Sequence, residues 1–288
     1  MKSLLSHAFL AILALWPAPP LPGAGLAAAR ALYQQTQYSE ALALLDVKAS
    51  RDPDELLLAA KALYGKAEFK KAGETLQRAA RLAPKNSEIQ HWMGKAYGRL
   101  AETSNFLAAP GHASNCRKAF ERAVELDSRN LLAMNDLLEY YLEAPGFLGG
   151  GLDKAEALAK RIAPLSAAEH HFALAKLAEK RKDTKTAELE YRKAVEAEPG
   201  EAGRLIDLAR FLARQGRLAE SDRLFQDAQR LAPGAANVLF ARASVLVETR
   251  RDPREARRLL ELYLKAPLTP DDPPRDEARK MLAKLGGA

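Results

Sequence analysis

One phrase recurs four times along this chain, and recurrence at a fixed spacing constrains a fold more tightly than composition can. Residues 72–79 run on to Leu82 and Pro84, and residues 116–123 to Leu126 and Ser128. Residues 187–194 run on to Ala197 and Pro199, and residues 221–228 to Leu231 and Pro233. Each copy starts on a small residue, places a large apolar one four positions on (Leu76, Phe120, Tyr191, Phe225), and returns to alanine three positions later. The last two copies are 34 residues apart at every landmark. A period of that size marks a solenoid, in which no unit buries its apolar face without its neighbours. A stacked helical array of this kind presents an extended binding surface.

The 288 residues leave room for two ordinary domains or one long array. Helix-forming residues dominate and β-branched runs are missing, which points to an all-α chain. Lysine and arginine exceed aspartate and glutamate by 44 to 37, a net +7 that is spread along the chain. Nucleic-acid binding calls for a concentrated basic stripe, so the diffuse excess argues against it.

The first residues have the pattern of an export signal. Met1 and Lys2 supply the positive end, residues 8–16 an apolar core, and residues 17–25 a proline- and glycine-rich break. The apolar run is too short for a spanning helix, which needs about 20 residues. A signal peptide over residues 1–24 is therefore expected, and no cysteine follows the apolar run to carry a lipid. Cys116 is the sole cysteine, so no internal disulfide is expected. It occupies a small-residue slot of the repeat and reads as a buried small hydrophobe.

With these landmarks the chain resembles the tetratricopeptide repeat (TPR) family. That family's unit is two antiparallel helices in about 34 residues. The resemblance implies an all-α, right-handed superhelical solenoid of about seven helix pairs over residues 25–268, with units beginning near Pro22, Pro53, Ser87, Leu131, Ala168, Ala202 and Ala236. The terminal units are degenerate, as expected where one side faces water: Lys48 sits in a small slot and Arg242 in an apolar one, and the last pair slips by one residue at Ala256, Leu260 and Tyr263. Residues 269–288 read as a linker and capping helix, with Asp272 as N-cap and Ala278, Met281, Leu282 and Leu285 as the covering stripe. Exported bacterial TPR proteins of unassigned role carry a similar pair of stretched units, which places this chain in the periplasm by resemblance.

The two stretched units lie at residues 102–111 and 143–151. Both are expected as long loops on one edge of the solenoid, either functional or tucked together through Phe106, Phe147 and Leu148. The glycine run 149–151 lacks the lysine–hydroxyl spacing of a phosphate loop and follows no strand, so it reads as a flexible turn entering a helix at Asp153. His170 and His171 have no companions at metal spacing, and His171 falls at a packing position. Asp136 and Glu139 share a helix face with no group to make them acid and base. No catalytic fingerprint occurs, so an enzyme is not expected, and the reading calls for no cofactor or metal.

In TPR proteins the first helices also carry a stripe at positions 2, 5, 9 and 12 that lines the concave groove. Position 5 brings His91, Asn135, Phe172, Ile206 and Phe240; position 9 brings Lys61, Lys95, Glu139, Lys176 and Arg210. An apolar row beside a mostly basic one suits an extended protein or peptide partner with acidic groups. The expected function is a non-catalytic interaction scaffold. The alternative is a structural assembly subunit that associates through the long-loop edge.

Overall fold

A computed structural model describes residues 24–286, and the described residues form fifteen α-helices and one short 3-10 turn, with no strand. The signal-peptide segment falls outside them save for Ala24, and so does the start of the first unit at Pro22. The helices are α1 (Ala24–Gln34), α2 (Tyr38–Ala43), α3 (Pro53–Gly65), α4 (Phe69–Leu82), α5 (Ser87–Thr103), α6 (Ala109–Leu126), α7 (Leu131–Glu143), α8 (Leu152–Ile162), α9 (Ala167–Lys180), α10 (Thr184–Ala197), α11 (Ala202–Arg214), α12 (Leu218–Leu231), α13 (Ala236–Glu248), α14 (Pro253–Lys265) and α15 (Arg275–Gly286).

The helices pack as consecutive pairs, α1 with α2 through α13 with α14, and each pair's second helix leans on the next pair's first. First helices also touch one another, α1 with α3 and α7 with α9, so they form a continuous inner layer. The repeated small residues make this possible. Ala72, Ala187, Ala209, Ala228 and Ala243 are fully buried, and large residues such as Leu76, Phe225 and Tyr263 fill the space between helices.

Local chemistry sets the helix ends. Asp52, Asn86, Asn130, Ser166, Asp183 and Asp252 each accept a backbone N–H in the first turn of the helix that follows. Helices α4, α10 and α12 stop two residues short of Pro84, Pro199 and Pro233, since a residue before proline is pushed out of the helical region. The turn inside the pairs repeats too. Thr36, Ala67, Lys182, Gly216 and Arg250 all have positive φ, between 52° and 76°, at the same place in their pairs.

The first pair is stunted, in line with its degenerate sequence. Helix α2 has six residues, and the Arg78 guanidinium from α4 gathers the carbonyls of Val47, Lys48 and Ser50 beyond it. At the other end, Ala278 is buried and Met281, Leu282 and Leu285 lie against the last pair's core, so α15 covers it as the stripe predicts. Asp272 does not cap α15. Its carboxylate accepts the backbone N–H and the hydroxyl of Thr269, both at 2.9 Å, and closes a turn inside the linker instead.

The first stretched unit corrects an expectation. Residues 102–111 are not a long loop: α5 extends to Thr103 and α6 starts at Ala109, so the extra residues lengthen both helices to 17 and 18 residues. Pro110 falls in the first turn of α6, where its missing donor costs nothing. The second stretched unit does keep a connection between α7 and α8, and α6 touches it, with Arg117 of α6 beside Gly149.

Candidate functional site

The inner layer brings the sequence-predicted stripe onto one continuous surface but uses much of its charge internally. Lys61 pairs with Glu88 of the next first helix. His91 is buried, and its Nε2 lies 2.7 Å from Asp136 Oδ2 on α7. Asn135 donates its amide to Glu169 at 2.9 Å. Glu139 meets Lys176 at 3.3 Å, and Glu143 meets Lys180 at 3.1 Å. Glu169 also accepts from Arg204, and Glu179 accepts from Arg214 at 2.6 Å. These bonds run from one first helix to the next along the whole middle of the array. Asp136 and Glu139, read as having no catalytic companion, are part of this ladder.

Two stripe cations stay out of it. Among the described residues Lys95 and Arg210 form no ion pair. Lys95 lies over the Trp92 ring at 4.4 Å and the Tyr64 ring at 5.8 Å. Tyr64 packs edge-on against both Phe69 and Trp92, with centroids 5.2 and 5.4 Å away, and Arg99 covers Phe69 at 5.1 Å. Pairs two and three therefore carry an aromatic cluster faced by cations, an arrangement that attracts both apolar rings and negative groups.

Arg210 lines a cavity of about 570 Å³ on the inner side of α9, α11 and α13. Ile206 and Phe240 form part of its wall and are otherwise buried, while Phe172 lies under the Arg204 guanidinium at 5.6 Å. The cavity holds more carboxylates than cations: Glu169, Glu198, Glu201, Asp207 and Asp271 against Arg204 and Arg210. Burial pushes the Asp207 carboxyl up to about 6, although Arg204 and Arg210 pull it the other way. The groove is thus basic and aromatic near pairs two and three, and mixed to acidic near pairs five to seven.

Sequence reading missed three things here. The acidic partners Glu88 and Glu169 occupy position 2 of their units and Tyr64 occupies position 12, and both positions belong to the stripe alongside 5 and 9. Trp92 lies outside the four-position stripe. The linker before α15 read only as the approach to a capping helix, yet its Asp271 and Pro273 help line the groove cavity.

Cys116 and His171 take the packing places read for them. Cys116 is buried among Phe120, Met134 and Tyr141, and burial lifts its thiol to about 12, so it is held protonated. His171 is partly exposed and its Nδ1 lies 2.7 Å from the buried Glu190 carboxylate, which Lys193 also contacts at 2.8 Å. The glycine run is a tightly bonded turn rather than a flexible one. Gly149, Gly150 and Gly151 donate to the carbonyls of Gly146, Pro145 and Tyr141, and a Cβ on Gly150 would fall 1.8 Å from the Ala144 carbonyl oxygen. Lys154 donates back to the Gly149 carbonyl at 2.9 Å. Phe106 and Phe147 do not tuck together: they are 82 % and 84 % exposed. Among the described residues no cluster of His, Cys, Asp and Glu has the geometry to hold a metal, and no helix is long and apolar enough to cross a membrane.

Solved structures of the same shape decide the fold. A thermophilic TPR protein of Thermus thermophilus superposes with a TM-score of 0.53 at 22 % identity, covering 65 % of this chain and 97 % of its own. The fold is that of the TPR proteins. A tetratricopeptide repeat protein from Parabacteroides merdae matches over 92 % of this chain and 98 % of its own, with a TM-score of 0.60 and 11 % identity. The Cut9–Hcn1 hetero-tetramer of APC/C matches over 89 % of this chain and 48 % of its own, with a TM-score of 0.50 and 15 % identity. No protein-family model and no curated protein matches the sequence. The TPR fold is of the protein-interaction scaffold kind, and TPR proteins as a class are mostly non-catalytic.

Proposed function

We propose that this chain is a non-catalytic scaffold, exported to a bacterial periplasm, that holds a protein or peptide partner along the concave face of its TPR array. The observation that carries this reading is the open chemistry of the inner layer. Lys95 and Arg210 have no carboxylate partner among the described residues, and Lys95 stands over the Tyr64 and Trp92 rings. Charged side chains left unpaired on a solenoid's inner face are the groups that recognise a bound segment, with aromatic rings beside them as anchors. The export reading rests on residues 1–24, and the preference for acidic partners on Lys95 above the Trp92 and Tyr64 rings. The test is capture by crosslinking from the envelope fraction of the source cell. Reversal of Lys95, Lys176 and Arg210 to glutamate abolishes capture if the groove is the site, and unchanged capture refutes it.

A second reading has its own observation. Phe106 and Leu107 in the first stretched unit and Phe147 in the second are exposed at 82, 77 and 84 %. Large apolar side chains left this exposed are the groups an association surface would use. If the chain is an assembly subunit, changing Phe106 and Phe147 to serine reduces its assembly in sedimentation, while the groove reversal leaves assembly intact.

A further inference from the structure

The linker between α14 and α15 crosses the inside of the array. It is built from its own end of the molecule. The Tyr263 hydroxyl donates to the Pro273 carbonyl, and the Arg275 guanidinium donates to the carbonyls of Leu264 and Ala266 at 3.3 and 2.9 Å. The Thr269–Asp272 turn shapes the middle. From this base Asp271 and Pro273 line two cavities at once. One is the 570 Å³ space against α9, α11 and α13; the other, of about 660 Å³, opens against Thr36, Tyr38, Tyr64, Phe69 and Arg99 of the first pairs. The linker therefore partitions the groove.

Its far attachment is slight. Among the described residues one hydrogen bond joins this end of the chain to the first pair, from Arg275 Nη1 at the start of α15 to Thr36 Oγ1 at 3.3 Å. Lys66 and Arg99 share the 660 Å³ cavity with Asp271 and Asp272, but each pairs with a carboxylate beside it in the chain, Lys66 with Glu68 at 3.3 Å and Arg99 with Glu102 at 2.6 Å, and neither pairs with the linker. The segment itself has a definite chemistry. Pro270, Pro273 and Pro274 remove backbone donors in and just after the Thr269–Asp272 turn. What remains to be recognised is prolyl rings and two carboxylates. The facing wall offers the rings of Tyr38, Tyr64 and Phe69 to the prolines, and beside them Lys66 and Arg99, whose exposed pairs with Glu68 and Glu102 an incoming carboxylate can exchange.

We propose that residues 268–274 are a self-ligand, seated in the groove in place of an acidic, proline-containing segment of a partner protein that binds the Tyr38–Tyr64–Phe69–Arg99 wall by displacing them. This deepens the groove reading and rests on it. A tethered segment competes at an effective concentration on the order of millimolar, so a weak seat is enough to hold the groove shut against casual ligands.

The test uses the full chain with residues 269–274 replaced by glycine and serine at equal length, which leaves α15 over the last pair. The probe is a fluorescein-labelled peptide with the sequence of residues 266–276, followed by anisotropy. The replaced chain binds the probe about tenfold more tightly than the natural chain, because the competing occupant is gone. Arg99→Glu in the replaced chain removes that binding. Thr36→Val in the natural chain cuts the far attachment alone and gives a gain of about threefold by the same logic, which keeps the test open if the replaced chain does not fold. Equal affinity in all chains, or no binding to any, overturns the self-ligand. The groove reading fails separately, when charge reversal at Lys95, Lys176 and Arg210 leaves partner capture unchanged.

Discussion

Asn135 and Glu169 are 34 residues apart in the chain and joined by a hydrogen bond of 2.9 Å, one TPR unit to the next. Glu169 is also held by Arg204 from the following unit, and its backbone N–H caps on Ser166 at 3.1 Å. One carboxylate thus ties three successive first helices. Arg204 keeps Glu198 at 3.1 Å and Asp207 at 3.7 Å if Glu169 is lost, but Asn135 keeps nothing, since its Oδ1 already lacks a partner. Glu169→Ala is expected to destabilise the chain by about 2 kcal/mol, the scale of a polar group left unsatisfied in a mostly buried site. A double-mutant cycle with Asn135→Ala, measured by urea unfolding, should show a coupling of about 1 kcal/mol. Strict additivity of the two changes would show that the bond does not link the units.

Asp207 gives the groove a pH dependence whose sign is fixed. Burial raises its carboxyl in the folded state from 3.8 to about 6. Between those values the folded chain holds a proton that the unfolded chain has released, so this group's contribution to stability is full below the lower value and is lost as pH rises through the upper one. Arg204, Arg210 and Lys176 oppose the rise and Glu169 adds to it. Asp207→Asn should therefore stabilise the chain at pH 8 by about 2 kcal/mol and change little at pH 4. Thermal unfolding across that range is the measurement. A gain that is the same at both ends would place the cause elsewhere.

The turn inside the pairs offers a cheap test of repeat geometry. Ala67 has φ of 59° and Gly216 has φ of 76°, at equivalent places in pairs two and six. The left-handed region costs a residue with a Cβ about 1 kcal/mol relative to glycine. Ala67 is exposed, and a Cβ on Gly216 would meet nothing within 4 Å, so packing does not confuse the comparison. Ala67→Gly should raise stability and Gly216→Ala should lower it, each by about 1 kcal/mol. Opposite shifts in the urea midpoint are the expected result; shifts of the same sign would contradict the geometry.

The packing of this molecule was legible because it is written in residue size. A small residue at Ala72 or Ala187 and a large one at Leu76 or Tyr191 recur at the unit's period, and helix ends follow from Pro84 and Pro199 by backbone sterics. The groove was legible in outline and not in charge. Lys61 and Lys176 read as a basic row until Glu88 and Glu139 are placed opposite them, and those partners come from neighbouring units or from other positions of the stripe. Residues 102–111 look like a loop because they contain Pro110 and Gly111, yet both fit the first turn of a helix. The contact of Arg275 with Thr36 spans 239 positions and leaves no local mark in either segment.

Trp92 gives the groove a built-in reporter. The chain has two tryptophans, and the other, Trp16, lies in the expected signal segment. In a chain starting at Gly25, the emission therefore comes from the inner face alone. Lys95 stands 4.4 Å from the Trp92 ring and Lys61 stands 5.3 Å from it. A cationic rim concentrates small anions near the ring, and salt screens the effect. Iodide should therefore quench Trp92 more strongly than neutral acrylamide does at low ionic strength. Lys95→Glu should reduce the iodide quenching constant about twofold and leave the acrylamide constant unchanged. Lys61 is already neutralised by Glu88, so Lys61→Ala should have the smaller effect. If both lysine variants quench like the natural chain, then the cation over Trp92 is not available to a bound segment, and the aromatic cluster acts in packing alone.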